Sequence, residues 1–225
     1  MTPLRWTALV LIAATGVGIA AWLVAIHWRP SEASYPRQGI DVSRRQGMID
    51  WPAVARQRQV DFAYIKASEG ADLRDPMFGV NWQGAGAAGI ARGAYHFFSL
   101  CKPGDVQAAN FIAAVPGDGN MLAPAVDLEF GGNCAERPEP EALYVELMVF
   151  IRAVELRYRQ PVVLYLTREF DAGYGISTRI HRRLWLRSIF REPKWGARPW
   201  AMWQASSFHT VPGIEGRVDW NVSRP

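Results

Sequence analysis

The sequence predicts an α/β domain folded as a modified, incomplete (β/α)8-type barrel, preceded by a single N-terminal transmembrane helix. Three observations carry that prediction. Eight short apolar runs flanked by turn residues have strand length, helix-like stretches lie between several of them, and the chain opens on a long uncharged apolar segment. Alternation of strand and helix argues for a largely parallel sheet. Eight strands in a domain of about 190 residues suggest a compact barrel with some helices missing, with an open doubly wound sheet as the alternative.

Residues 6–26 are uncharged and almost wholly apolar, about the 20 residues a helix needs to cross a hydrocarbon core. A cleavable signal peptide is the rival reading. The run is longer than a usual signal core, and no clear small-x-small site precedes the polar Arg29-Pro30-Ser31-Glu32 stretch. Residues 1–28 are therefore read as a membrane anchor, 29–38 as a short linker and 39–225 as one catalytic-sized domain.

The strand-like runs are 39–43, 60–66, 90–98, 121–128, 161–166, 184–186, 199–204 and 217–220. Asp75-Pro76 offers an N-cap followed by proline at the first helical position, and Gly89 ends that segment. Residues 103–114 read as a second helix. The clearest helix is 139–158, where Leu143, Leu147, Phe150, Ile151 and Val154 recur at helical spacing while Glu141, Glu146, Arg152 and Arg157 face outward. The stretch Gly84-Ala85-Gly86-Ala87-Ala88-Gly89 matches the dinucleotide fingerprint, but a helix precedes it and a strand follows, the reverse of what phosphate binding needs. A helix end with a tight turn is the expected use.

A formal net charge of +4 and a pI near 9.3 suit a polyanionic partner. The basic residues are scattered, as at Arg44-Arg45, Arg56, Arg58 and Arg182-Arg183, without the stripe and interleaved aromatics of a nucleic-acid reader, so no nucleic-acid partner is expected. Ten Trp suit both core packing and stacking on sugar rings. Cys101 and Cys134 could pair in an oxidising compartment, closing a loop worth about 3–4 kcal/mol, or stay as two unrelated buried thiols. His27, His96, His181 and His209 lack zinc spacing and no calcium loop occurs, so neither a metal nor a cofactor is expected. No Gly-x-Ser-x-Gly elbow is present.

The chemistry is signalled by carboxylates. Ala125-Val126-Asp127-Leu128-Glu129 is an apolar strand ending in two acids two residues apart, a spacing that projects both from one face. Asp41 and Asp219 end two further runs. In a parallel barrel the carboxyl ends of the strands gather at one mouth. Acids crowded there cannot all stay ionised, so one holds a proton near neutrality while another remains charged. Glycoside cleavage needs that division: a protonated acid for the leaving oxygen and an ionised partner for the positive charge at the anomeric carbon. N-caps, turns and arginine pairs are the plain structural uses of the same residues.

At this point the chain resembles family 25 of the glycoside hydrolases, the Chalaropsis-type lysozymes that cleave beside N-acetylmuramic acid in peptidoglycan. The resemblance runs through Gly39-Ile40-Asp41-Val42-Ser43, Asp50-Trp51, Tyr64-Ile65-Lys66-Ala67-Ser68-Glu69-Gly70, Gly93-Ala94-Tyr95-His96-Phe97, Asp127-Leu128-Glu129, Trp203-Gln204 and Val218-Asp219-Trp220-Asn221. It implies a modified barrel in which Glu129 protonates the glycosidic oxygen. Asp127 would then orient the substrate's 2-acetamido group as it attacks the anomeric carbon, with Asp41 and Asp219 as supporting acids. By the same resemblance Tyr64, Lys66, Glu69, Tyr95, Tyr165, Trp203 and Gln204 would line a groove for peptidoglycan glycan strands. A noncatalytic glycan-binding scaffold and a hydrolase of another 2-acetamido polysaccharide, such as chitin, are the alternatives. With the anchor and a disulfide, the domain is expected on the periplasmic side of a bacterial inner membrane.

Overall fold

The computed structural model describes residues 3–117 and 119–224. Met1 and Thr2 of the expected anchor, and Asp118 and Pro225 of the expected domain, lie outside them. A helix α1 covers Pro3–His27, followed by β1 (Gln38–Val42), α2 (Trp51–Arg56), β2 (Phe62–Glu69), β3 (Leu73–Arg74), α3 (Phe78–Ala87) and β4 (Ala91–Phe97). Then come α4 (Gly104–Ala114), β5 (Ala125–Leu128), α5 (Pro140–Tyr158) and β6 (Val163–Leu166). The chain ends through α6 (Arg168–Tyr174), α7 (Ile176–Arg179), β7 (Arg183–Arg187), β8 (Met202–His209) and β9 (Val218–Ser223).

The strands run in the order β1-β9-β8-β7-β6-β5-β4-β2, and β1 pairs with β2 as well as with β9. The sheet therefore closes into an eight-stranded barrel, with β3 a short antiparallel addition to β2. This is the predicted barrel and not the open sheet. Only β9 runs against its neighbours β8 and β1, and its connection is why. A parallel crossover takes a dozen or more residues and usually a helix, whereas residues 210–217 form a short loop that can only return the chain antiparallel. No helix intervenes between β7 and β8 either, so the barrel is incomplete as expected.

Two cores follow from the period-2 alternation of the strands. Outward-facing Ile40, Val42, Ala63, Ile65, Val126, Leu128, Leu164, Leu166, Leu184 and Leu186 meet the helices. There α5 buries Leu143, Leu147, Phe150, Ile151 and Val154, the stripe that its spacing predicts. Inward-facing Phe62, Tyr64, Ala125, Val163, Tyr165, Trp185 and Met202 fill the barrel itself. Gly93 is required at that level: a Cβ there would sit 2.5 Å from the Tyr64 ring. The glycine-rich stretch ends α3, with Gly89 at φ +76° as the turn. Helix α3 starts at Phe78 and not at Pro76, because Asp75 closes a separate turn, its carbonyl accepting from Phe78 N–H and its side chain from Met77 N–H, before the Met77 carbonyl takes up the helical series from Asn81 N–H.

The membrane anchor is a correction. Residues 3–27 form one helix, but among the described residues no helix is long and apolar enough to cross a membrane, so the single-pass inner-membrane placement with a periplasmic domain falls with it. The carboxyl end of α1 turns to the barrel: the Trp22 ring stands edge-on to Phe208 at 6.2 Å, Arg217 lies 4.4 Å over it, and Thr210 N–H donates to the Ile26 carbonyl. Residues 29–38 are tied to the barrel at their ends while 31–34 are exposed: the Gln38 amide donates to the carbonyls of Pro30 and Tyr35, and Arg29 lies 5.4 Å over Trp220.

Candidate active site

At the carboxyl ends of the strands lies a cavity of about 330 Å³ lined by Asp41, Lys66, Glu69, Tyr95, Asp127, Glu129, Tyr165, Gln204 and Asp219, among others. Nine of the eleven residues expected to act or bind therefore meet at one mouth. The strand period explains how. Asp127 and Glu129 share the inward face of β5 and its extension, Asp41 on β1 stands in register with Asp219 on β9, and Asp127 with Tyr165 on β6.

Tyr64 and Trp203 do not line this mouth. Tyr64 faces inward one layer below Lys66, at the opposite end of the barrel, where its hydroxyl donates to the Ala123 carbonyl at 3.0 Å. Trp203 has the opposite parity to Gln204 and so faces outward. Its indole N–H donates to the Ser188 carbonyl, and its ring packs among Trp28, Tyr35 and Trp200. His96, beside Tyr95 on β4, also faces outward. It is fully buried, bonded to Ser68 at 2.8 Å and Gln107 at 3.2 Å, and stacked on Phe150. Burial pushes its pKa down to about 3, so it stays neutral and structural.

Asp41 sits on the floor at the end of two fixed relays. Its Oδ2 accepts from Asn221 Nδ2 at 2.7 Å and Gln204 Nε2 at 3.3 Å. Those amides are oriented in turn by the Trp185 indole N–H and the Tyr165 hydroxyl, each at 2.8 Å. Asp127 differs: it is buried, and its Oδ1 has no hydrogen-bond partner among the described residues. Such an atom is costly and rare. Glu129 follows in a loop whose position is clamped by Asn133, whose amide donates to the Glu129 and Phe98 carbonyls and accepts from the N–H groups of Leu100 and Cys134. The Cys101–Cys134 disulfide, as expected, ties the same two loops.

Burial raises all four acids. Asp41 and Asp127 go well above the ordinary carboxylate range, with the charge of Asp219 adding to the first and that of Glu129 to the second. Glu129 is raised by burial against the pull of Arg187, and Asp219 by burial against the Ser207 hydroxyl and Arg187. The group titrates as a unit, and it retains proton at a pH where isolated carboxylates have lost theirs. Lys66 is satisfied by Glu69 at 2.7 Å. Arg45, Trp185, Arg187 and Asn221 were not singled out by sequence, although Arg187 closes strand β7 and Asn221 shares the face of Asp219.

A closed β/α barrel whose strand ends converge on coupled carboxylates has the layout of a glycoside hydrolase. The family model of glycosyl hydrolases family 25 matches residues 40–214. The uncharacterized protein YegX of Escherichia coli (strain K12) is 35% identical over 199 residues, 84% of this chain and 70% of that protein. Lysozyme M1 of Streptomyces globisporus is 31% identical over 205 residues, 82% of this chain and 66% of that protein. The solved structure of a family 25 glycosyl hydrolase from Bacillus anthracis is 33% identical with a TM-score of 0.80, covering 88% of this chain and 93% of that one. The chain belongs to glycosyl hydrolase family 25, and it is a glycoside hydrolase.

Proposed function

We propose that the chain is a muramidase, a lysozyme that hydrolyses the β-1,4 bond between N-acetylmuramic acid and N-acetylglucosamine in peptidoglycan. The observation that carries this reading is the unpartnered, buried Asp127 oxygen beside Glu129 in one cavity. An acetamido N–H of the substrate is the donor that oxygen lacks. Receiving it favours the ionised form of Asp127 and leaves the shared proton to Glu129.

Glu129 then protonates the glycosidic oxygen as the C1–O bond breaks, while the acetamido carbonyl oxygen bonds to C1. Asp127 stabilises the positive charge of the resulting oxazolinium. Water adds at C1 with its proton passing to Glu129, and the ring opens to restore the acetamide. One water is consumed and the acid is regenerated. Asp41 and Asp219 hold the protonation and geometry of the pair, while Lys66, Glu69, Tyr95, Tyr165 and Gln204 contact the sugar. The name Lysozyme M1 borne by one relative supports the substrate class.

The test is Glu129→Gln in the full chain, assayed by release of reducing ends from peptidoglycan. The expected loss is about 10²- to 10⁴-fold with a cooperative melting transition retained. Undiminished release would remove Glu129 as the acid.

A further inference from the structure

The cleft has two unlike arms. Over β2–β4 the smaller cavity spends most of its charge internally: Lys66 pairs with Glu69, and Asp75 accepts the backbone N–H groups of Arg44 and Met77, which leaves the Arg44 guanidinium as the exposed cation of that arm. Over β6–β9 a groove of about 910 Å³ continues from Glu129 and Asp219, walled by Arg45, Arg187 and Arg217. All three arginines are exposed. Glu169 and Glu215 share this arm, yet among the described residues none of the three guanidiniums forms an ion pair with them or with any other carboxylate. Arg217 is instead stacked over Trp22 and Phe208, which leaves Arg45 and Arg187 with their forks uncommitted.

A neutral sugar gives such a fork little to bind. A carboxylate takes two parallel N–H bonds from it, and lysine cannot reproduce that geometry. The muramyl half of a glycan strand differs from its neighbour in bearing a peptide stem with free carboxylates. The geometry points to the wide arm as the seat of that stem, with Arg187, and Arg45 across from it, binding a stem carboxylate. This assignment rests on the muramidase reading and deepens it: the strand is chosen by its acidic substituent as well as by its acetamido groups.

The electrostatics agree. Arg187 and Arg45 both draw the proton affinity of Glu129 and Asp219 down, against the effect of burial and against the need of an acid catalyst. A bound carboxylate would offset the two cations and let Glu129 hold its proton more firmly while substrate is present.

The experiment uses the full chain and soluble uncross-linked glycan strands, native and with their stem carboxylates converted to neutral methylamides. For the unmutated chain, KM should rise about tenfold on amidation, with kcat changed less. Arg187→Gln should show the raised KM on native strands and be indifferent to amidation. Arg187→Lys should fall between, and the alkaline limb of kcat/KM, which reports the free enzyme, should move up in pH for Arg187→Gln while that of kcat moves less. An Arg187→Gln chain with unaltered KM on native strands, or one whose KM still responds tenfold to amidation, would overturn the assignment while leaving the muramidase reading standing. An unmutated chain that cleaves neither strand would overturn both.

Discussion

Asp127 carries a local tension, a buried carboxylate with one oxygen left without a donor among the described residues. Its pKa is raised by burial and by Glu129, so between the unfolded-chain value and the raised one the native state binds more protons than the unfolded chain. Its contribution to stability therefore falls as pH rises through that window. Asp127→Asn removes the titration. We expect its melting temperature, relative to the unmutated chain, to be higher at pH 8 than at pH 4, with activity reduced at both. An equal difference at the two pH values would contradict the raised pKa. The acids themselves were legible because costly residues ended apolar runs. Trp203 and Gln204 cannot both face the cleft, since adjacent strand residues point to opposite faces, and Gln204 takes the inner one. Tyr64 was harder: its face was right, and only the barrel's depth places it a layer too low.

Long-range ties between loops hold the acid in place. The Cys101–Cys134 disulfide and two hydrogen bonds of Asn133, to Leu100 and Phe98, join the loop after β4 to the loop after β5, while its other two, to Glu129 and Cys134, brace the second loop itself. Replacing both cysteines by serine should cost about 3–4 kcal/mol by chain entropy, read from denaturant midpoints. Asn133→Ala should cost about 1–3 kcal/mol and lower kcat more than it raises KM, because it frees the backbone that carries Glu129. A KM-only effect would contradict that positioning role. The helix α5 was readable from its apolar stripe. The helices α2, α6 and α7 were not, since six, seven and four residues are too few to display a helical period. The two-residue strand β3 gives no signal at all in sequence.

Closure of the barrel depends on pairing between the two ends of the domain, β1 with β9, and no local pattern announces it. The sequence therefore left barrel and open sheet side by side, and the antiparallel β9 became visible only with its neighbours. Trp220 anchors that closure. It is fully buried, its indole N–H donates to Gln38 Oε1 at 2.7 Å, and His209 packs 4.4 Å from it. Trp220→Ala should destabilise by about 3–5 kcal/mol in urea denaturation, and a loss below about 1 kcal/mol would mean that the β1–β9 seam does not need it. The apolar amino-terminal run misled because composition alone does not reveal that its last turns dock on the barrel, Trp22 against Phe208 of β8 and Ile26 against Thr210 just beyond it.

The proton held among four crowded acids finds its direct test in the products of peptidoglycan digestion, resolved by mass spectrometry for the unmutated chain and Glu129→Gln in parallel. The expected result is fragments ending in reducing N-acetylmuramic acid from the first and undigested strands from the second. Fragments ending in reducing N-acetylglucosamine, or equal digestion by both proteins, would contradict it.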